Sequence, residues 1–249
     1  MDRLQLSIRS IMILLFCVLV AGCMSARRQT LESDSVSPVH RIAIVSIGEP
    51  KFYLVDENSH TKGAQIAKFV IGVPAIMVNG LRAIGPGKGL SESLKGGDVH
   101  FGERLTVSLE EKLRAQGYEI VRAPAQSIGR MLFVADYAKS GVSADAYLDV
   151  MILQAGYILW DSNNELETTV HVRARLVAGK NEKQVYDSQF RYGNKASAKK
   201  GEVELSFTDR VAFASADALA ADYPRAIHGL DMAIEAIAEQ LAADLRKTQ

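Results

Sequence analysis

The sequence predicts an α+β domain, an α/β sandwich. Its single mixed sheet has a β-α-β start and continues into a three-strand antiparallel meander, with a C-terminal helix packed on one face. Three observations predict it: two β-branched runs flank an amphipathic stretch, three longer apolar-rich segments follow between turn residues, and the chain closes with apolar residues three or four apart. At 249 residues, 48% hydrophobic and 23% charged, the chain has the length and composition of one globular domain beyond a targeting segment.

That segment comes first. Residues 1–10 carry Arg3 and Arg9, and Ile11 to Val20 is an unbroken apolar run. Ten residues rise only about 15 Å as a helix, half the roughly 30 Å of a bilayer core, so residues 1–22 read as a signal peptide. The small residues Ala21 and Gly22 precede Cys23. Together with Leu19 and Val20 they resemble the lipobox of bacterial lipoproteins. The resemblance implies cleavage between Gly22 and Cys23, a thioether-linked diacylglycerol on Cys23 and a further acyl chain on the new amino group. Met24 stands where an aspartate implies inner-membrane retention, so the resemblance implies an outer-membrane location, lipid-anchored and facing the periplasm. Each buried methylene adds about 0.8 kcal/mol of membrane affinity, so two or three chains hold permanently. Cys17 leaves with the leader, and no internal disulfide is expected from the single cysteine that stays.

Residues 23–39 are the lipidated cysteine and a Ser-rich flexible tether closed by Pro38. Residues 40–249 form the single domain. Arg41 to Ile47 reads as a buried strand. Phe101 to Gln116 reads as a helix with Leu105, Val107, Leu109 and Leu113 inward, Glu103, Glu110, Glu111, Lys112 and Arg114 outward, and Gly117 as its stop. Tyr118 to Arg122 is a second strand, which makes a parallel pair with a crossover. Tyr147 to Trp160, apolar on both faces apart from Asp149 and Gln154, reads as a central strand. After the turn Asp161–Asn164, Leu166, Val170, Val172, Ala174 and Leu176 alternate with Glu167, Thr169, His171, Arg173 and Arg175. After Lys180–Lys183, Tyr186, Phe190 and Tyr192 point inward from a third strand. The Ala-rich stretch 212–222 reads as a helix. A final helix starts at Pro224 with Ile227, Leu230, Ile234, Ile237, Leu241 and Leu245 on one side and Asp231, Glu235, Glu239 and Asp244 on the other.

Residues 63–97 are an apolar and Gly-rich insertion. Phe69, Val70, Ile71, Val73, Ile76 and Met77 either pack on the domain or form an exposed contact for a partner or a membrane. His171, Arg173 and Arg175 lie on the polar sheet face, read as solvated, with contact to an anion or a carboxylate as the other reading. Gly85-Pro-Gly-Lys-Gly89 lacks the first Gly and the Ser or Thr of a phosphate loop. No G-x-S-x-G, H-E-x-x-H or C-x-x-C motif occurs, so no catalytic residue, metal or cofactor is expected beyond the lipid on Cys23. Lys plus Arg and Asp plus Glu number 29 each, and losing Arg3, Arg9 and Asp2 with the leader leaves 27 basic against 28 acidic residues, which points away from nucleic acid.

The order of elements over Arg41–Ile47, Phe101–Arg122, Tyr147–Tyr192 and Pro224–Leu245 resembles the envelope lipoproteins related to the curli-secretion lipoprotein, the penicillin-binding-protein activator lipoproteins and the TolB N-terminal domain. The resemblance implies a non-enzymatic accessory, assembly or binding component of an envelope machine for secretion, transport or wall synthesis. Its partners would be the membrane, through the anchor, and an envelope protein or further copies of itself. A subunit of an oligomeric outer-membrane secretion pore and an envelope hydrolase are the alternative readings.

Overall fold

Alternation and helical spacing become two packed layers in the computed structural model, which describes residues 39–50, 53–56, 99–124, 133–160, 164–193, 201–207 and 209–246. The leader, Gly22, Cys23 and the insertion 63–97, with Phe69, Val70, Ile71, Val73, Ile76 and Met77, lie outside the described residues. The strands are β1 (Arg41–Val45), β2 (Leu54–Asp56), β3 (Glu119–Ala123), β4 (Ala146–Trp160), β5 (Glu165–Ala178), β6 (Gln184–Tyr192), β7 (Val203–Leu205) and β8 (Ala212–Phe213). The helices are α1 (Phe101–Ala115), α2 (Ala216–Ala221) and α3 (Tyr223–Leu245).

Among the described residues these strands form one mixed sheet of order β3-β1-β4-β5-β6-β7. β1 lies parallel to both β3 and β4, which gives the expected β-α-β start. β4, β5 and β6 form the expected antiparallel meander. β4 is so long that two strands share its edge: β1 pairs with Ile42–Ile44 against Ala146–Leu148, and β2 with Leu54–Asp56 against Gly156–Ile158. At the far end of β5, β8 pairs with Leu166 and Glu167.

The helical layer covers one face. On α1, Leu105, Leu109 and Leu113 are fully buried, but Val107 is 39% exposed and Glu110 only 6% exposed, which reverses both readings. At 100° per residue, Val107 stands about 200° from Leu105, on the far side of the helix. Glu110 is buried because the guanidinium of Arg122, reaching back from β3, and that of Arg114 pair with its carboxylate. α1 ends as the sequence predicts. Gly117 sits at φ 92°, its N–H donates to Arg114 O at 2.9 Å, and Tyr118 N–H donates to Leu113 O at 3.2 Å.

The start of α1 is a different matter. His100 at the N-cap has φ 40° and no capping side chain. The cap comes from 53 residues upstream, where Glu49 Oε1 accepts from Gly102 N–H at 2.9 Å and from Glu103 N–H at 3.3 Å. A carboxylate here satisfies orphan donors and faces the positive end of the helix. Glu49→Ala should lower stability by about 1 kcal/mol in urea unfolding, while Glu49→Gln, which keeps an acceptor, should lose less.

On α3 three tyrosines from three strands or their flanks tie the helix along its length. Tyr157 Oη donates to Ala226 O at 2.6 Å, Tyr186 Oη to Asp244 Oδ2 at 2.9 Å, and Tyr118 Oη to Leu245 O at 2.9 Å. Asp244, expected on the outer side, is therefore buried at 7% exposure with a phenol and Gln240 as donors. Of the Ala-rich stretch, only Ala216–Ala221 is helical, because Ala212 and Phe213 are taken into the sheet and Ser215 caps the helix by accepting from Ala218 N–H. Val39, expected in the tether, is in the core at 5% exposure, and residues 23–38 lie outside the described residues. The short strands β2, β7 and β8 were not expected from the sequence.

Candidate interaction face on the outer side of the sheet

The sheet face away from the helices holds the residues that alternation placed there. On β5 these are Glu167, Thr169, His171, Arg173 and Arg175, and β6 adds Asp187, Gln189 and Arg191. On β4 a bulge intervenes: Ile152 pairs with Val172, Gln154 pairs with His171, and Leu153 between them is pushed out to 42% exposure.

Much of the face is buried, although Arg173, Arg175 and Gln189 are only partly so. Glu167, Thr169 and His171 are each at most 3% exposed, and Arg191 is 6% exposed. Lone charges at such burial are too costly, so each must meet a partner. His171 lies with Nε2 3.1 Å from Gln189 Oε1 and 3.6 Å from Glu202 Oε1. Its Nδ1 is 3.3 Å from Arg191 Nη2, and since Arg can only donate, a hydrogen bond between them has Nδ1 as the acceptor. Arg191 Nε in turn donates to Glu202 Oε2 at 2.9 Å, a pair with side chains 7% and 3% exposed.

Arg173 forks onto Asp187, with Nε to Oδ1 at 2.9 Å and Nη2 to Oδ2 at 2.5 Å. The hydrogen bonds to this carboxylate raise the guanidinium above its ordinary range. The two residues are diagonal neighbours, because Asp187 is opposite Arg175 in register. Arg175 turns away from β6 to a loop. Its Nε donates to Tyr137 Oη at 2.8 Å and its Nη2 to Val134 O at 2.5 Å, while its guanidinium stacks 4.3 Å from the Phe133 ring centroid. Near the far end, Arg210 binds Glu165 and Glu167.

His171, Arg173 and Arg175 thus share one face as the sequence predicts, yet each is engaged by a different neighbour. The carboxylate that Arg173 meets, Asp187, belongs to the chain itself. Sequence reasoning missed Asp187, Arg191, Glu202, Tyr137 and Asp149 as their partners. A signal for Asp187 was present: it alternates outward on β6, and the β5–β6 register places it opposite Arg175 and diagonal to Arg173. No local signal marks Glu202 or Tyr137, which reach the face over longer connections.

Because the Arg191–Glu202 pair is dry, removing one member leaves a buried charge. Arg191→Met should cost about 3 kcal/mol of stability in urea unfolding, and adding Glu202→Met should recover part of that loss. A double variant no more stable than Arg191→Met would mean that the two charges are not coupled.

The outer surface of the helical layer has a groove of about 300 Å³ between α1 and α3, lined by Glu103, Arg104, Val107, Glu111, Asp231 and Ile234 among others. Arg104 and Asp231 close it across at 2.5 Å. Among the described residues no group of three or more His, Cys, Asp or Glu side chains is placed to hold a metal ion.

No family model matches the chain, and no curated protein sequence does. Among solved structures it is similar to protein XCC0632 from Xanthomonas campestris, of the family DUF330, at 10% identity over 89% of this chain and 92% of that one, with a TM-score of 0.44. It is also similar to PelC from Paraburkholderia phytofirmans, described as a dodecamer, at 12% identity over 88% and 95% with a TM-score of 0.38. Lipoprotein GNA1162 from Neisseria meningitidis matches at 19% identity over 42% and 79%, with a TM-score of 0.25. Similarities this distant carry no functional argument.

Proposed function

We propose that the chain is a cell-envelope lipoprotein, held at the outer membrane by acyl chains on Cys23, whose domain faces the periplasm as a non-enzymatic accessory or assembly component. The observation that carries this reading is the series Leu19-Val20-Ala21-Gly22-Cys23 at the end of a ten-residue apolar run behind a basic head. Fifteen residues lie between Cys23 and Val39, the first core residue among the described residues, so whatever their conformation the domain stays within about 55 Å of the anchor. The polar sheet face supports a structural rather than a chemical role, since its arginines and His171 spend their donors on Asp187, Glu202, Tyr137 and Gln189.

The pore reading is disfavoured by the same geometry. β4 and β5 have 15 and 14 residues, more than the nine to eleven or so that a spanning strand needs. But α3 covers one face of the hairpin, and the other carries the ion pairs of Glu167 and Arg173, which is not a lipid-facing surface. Among the described residues no helix is long and apolar enough to cross a membrane.

Crosslinking in intact cells, followed by mass spectrometry, tests the accessory reading. It should trap a defined envelope protein or a second copy of the chain, and a lipidated chain that crosslinks to nothing would overturn it. Dye leakage from liposomes carrying the lipidated protein would instead restore the pore.

A further inference from the structure

We infer that residues 133–145 are a detachable strap, latched by Arg175 and Asp149, that opens as a unit and uncovers an apolar patch of the outer sheet face. This patch is a second small core, separate from the one beneath the helices. It contains Ala43 and Val45 of β1, Ala123 of β3, Tyr147 of β4 and Val177 of β5, each at most 5% exposed. What the strap adds is Tyr137, 3% exposed and stacked on Tyr147 with ring centroids 5.1 Å apart, with Val134, Val142 and Ala144 packed around it.

The strap lies over this patch with only Tyr137 and Ser140 buried, and side chains rather than a ladder hold it. Among the described residues, none of 133–144 pairs with a strand, and its one regular element is a single 3₁₀ turn, Ala138–Ser140. The bonds from the sheet come from side chains. Val134 is gripped on both sides of its main chain: its N–H donates to Asp149 Oδ2 at 2.8 Å, and its carbonyl accepts from Arg175 Nη2 at 2.5 Å. Tyr137 Oη repeats the pattern three residues on, donating to Asp149 Oδ2 at 2.9 Å and accepting from Arg175 Nε at 2.8 Å. Two oppositely charged side chains on adjacent strands thus hold both points. Burial, with the Asp149 carboxylate adding to it, pushes the Tyr137 phenol well above its ordinary range, so it stays a donor to Asp149 at any physiological pH.

The other end is fixed in a different way. Asp145 N–H donates to Arg41 O at 2.9 Å, and its carboxylate accepts from His40 N–H and Arg41 N–H at 2.9 and 2.8 Å. These backbone donors, Arg41 first, hold the Asp145 carboxyl below its usual range. The strap therefore has a hinge built into the sheet at Asp145 and a side-chain latch at Val134 and Tyr137, with Tyr147 Oη donating to Val142 O at 2.6 Å between them. Segments with few ladder bonds open at lower cost than the strands they cover.

Residue-resolved hydrogen exchange on the full mature chain tests this. The Val134, Ser140 and Val142 amides should exchange at least about a hundredfold faster than Val172 and Phe190 in the sheet, with the Asp145 amide staying protected. Arg175→Ala should speed the strap amides further, by about tenfold, and raise binding of a dye for apolar surface while sheet protection is unchanged. Tyr137→Phe, which keeps the ring and loses the bridging hydroxyl, should give a smaller acceleration. If Arg175→Ala unfolds the chain outright, the wild-type exchange pattern still decides. Strap amides that exchange only together with Val172, in one global event, would overturn the inference.

Discussion

Cys23→Ala should leave the chain without any fatty acid. Cells grown with a labelled fatty acid should label the wild-type protein, and the variant should carry none. The effect should be complete rather than graded because a thioether would have one possible sulfur: Cys17 lies inside the apolar run, and there is no third cysteine. The consequence for location follows from magnitudes. Each acyl methylene contributes about 0.8 kcal/mol, so two or three chains exceed what a surface contact of a nearly neutral domain supplies. Intact mass of the natural product should show a chain beginning at Cys23 with its lipid. A wild-type chain that stays unlabelled, or starts elsewhere, would take the anchor away and with it the envelope role.

The domain itself was legible where one physical rule acts locally. Period two in Leu166–Leu176 and in Tyr186–Tyr192, and three-to-four spacing in Ile227–Leu245, each report a half-buried element, and the strands and the helix lie there. The same rule failed at Glu110 and Asp244. Alternation or helical phase assigns a side chain to a direction, but whether a charge is exposed depends on what a distant segment brings. Arg122 covers Glu110, and Tyr186 reaches Asp244. The outer sheet face failed in the same way. His171 is polar in sequence and buried in the fold because Arg191 and Glu202 close over it. β2 and β8 were illegible for another reason: three and two residues are too few to show a period, and their positions are set by the unpaired edges that the long β4 and β5 leave open.

The tightest of those contacts sets the second large effect. Gly156→Ala should destabilise the domain by about 4 kcal/mol, read as a lower urea midpoint. Gly156 sits opposite Leu54 in the β2–β4 pair at φ 149°, a conformation that side chains with a Cβ rarely adopt. A Cβ there would lie 2.0 Å from Leu54 O and 2.7 Å from Leu54 N, both backbone atoms that no rotamer change can move. The backbone conformation costs about 1–3 kcal/mol and the overlap a similar amount, relieved only by pushing β2 off β4. β2 cannot leave alone, because Tyr53, 4% exposed, and Val55 belong to the main core. Gly117→Ala is the matched control: its φ is 92°, and nothing lies within 4 Å of the added carbon, so it carries conformational strain without overlap and should cost about 1 kcal/mol. If the two variants lose equal stability, the overlap is not being felt and β2 does not press on Gly156. If Gly156→Ala loses several times more, the bare backbone at this one position is what lets a second parallel strand join β4 beyond β1.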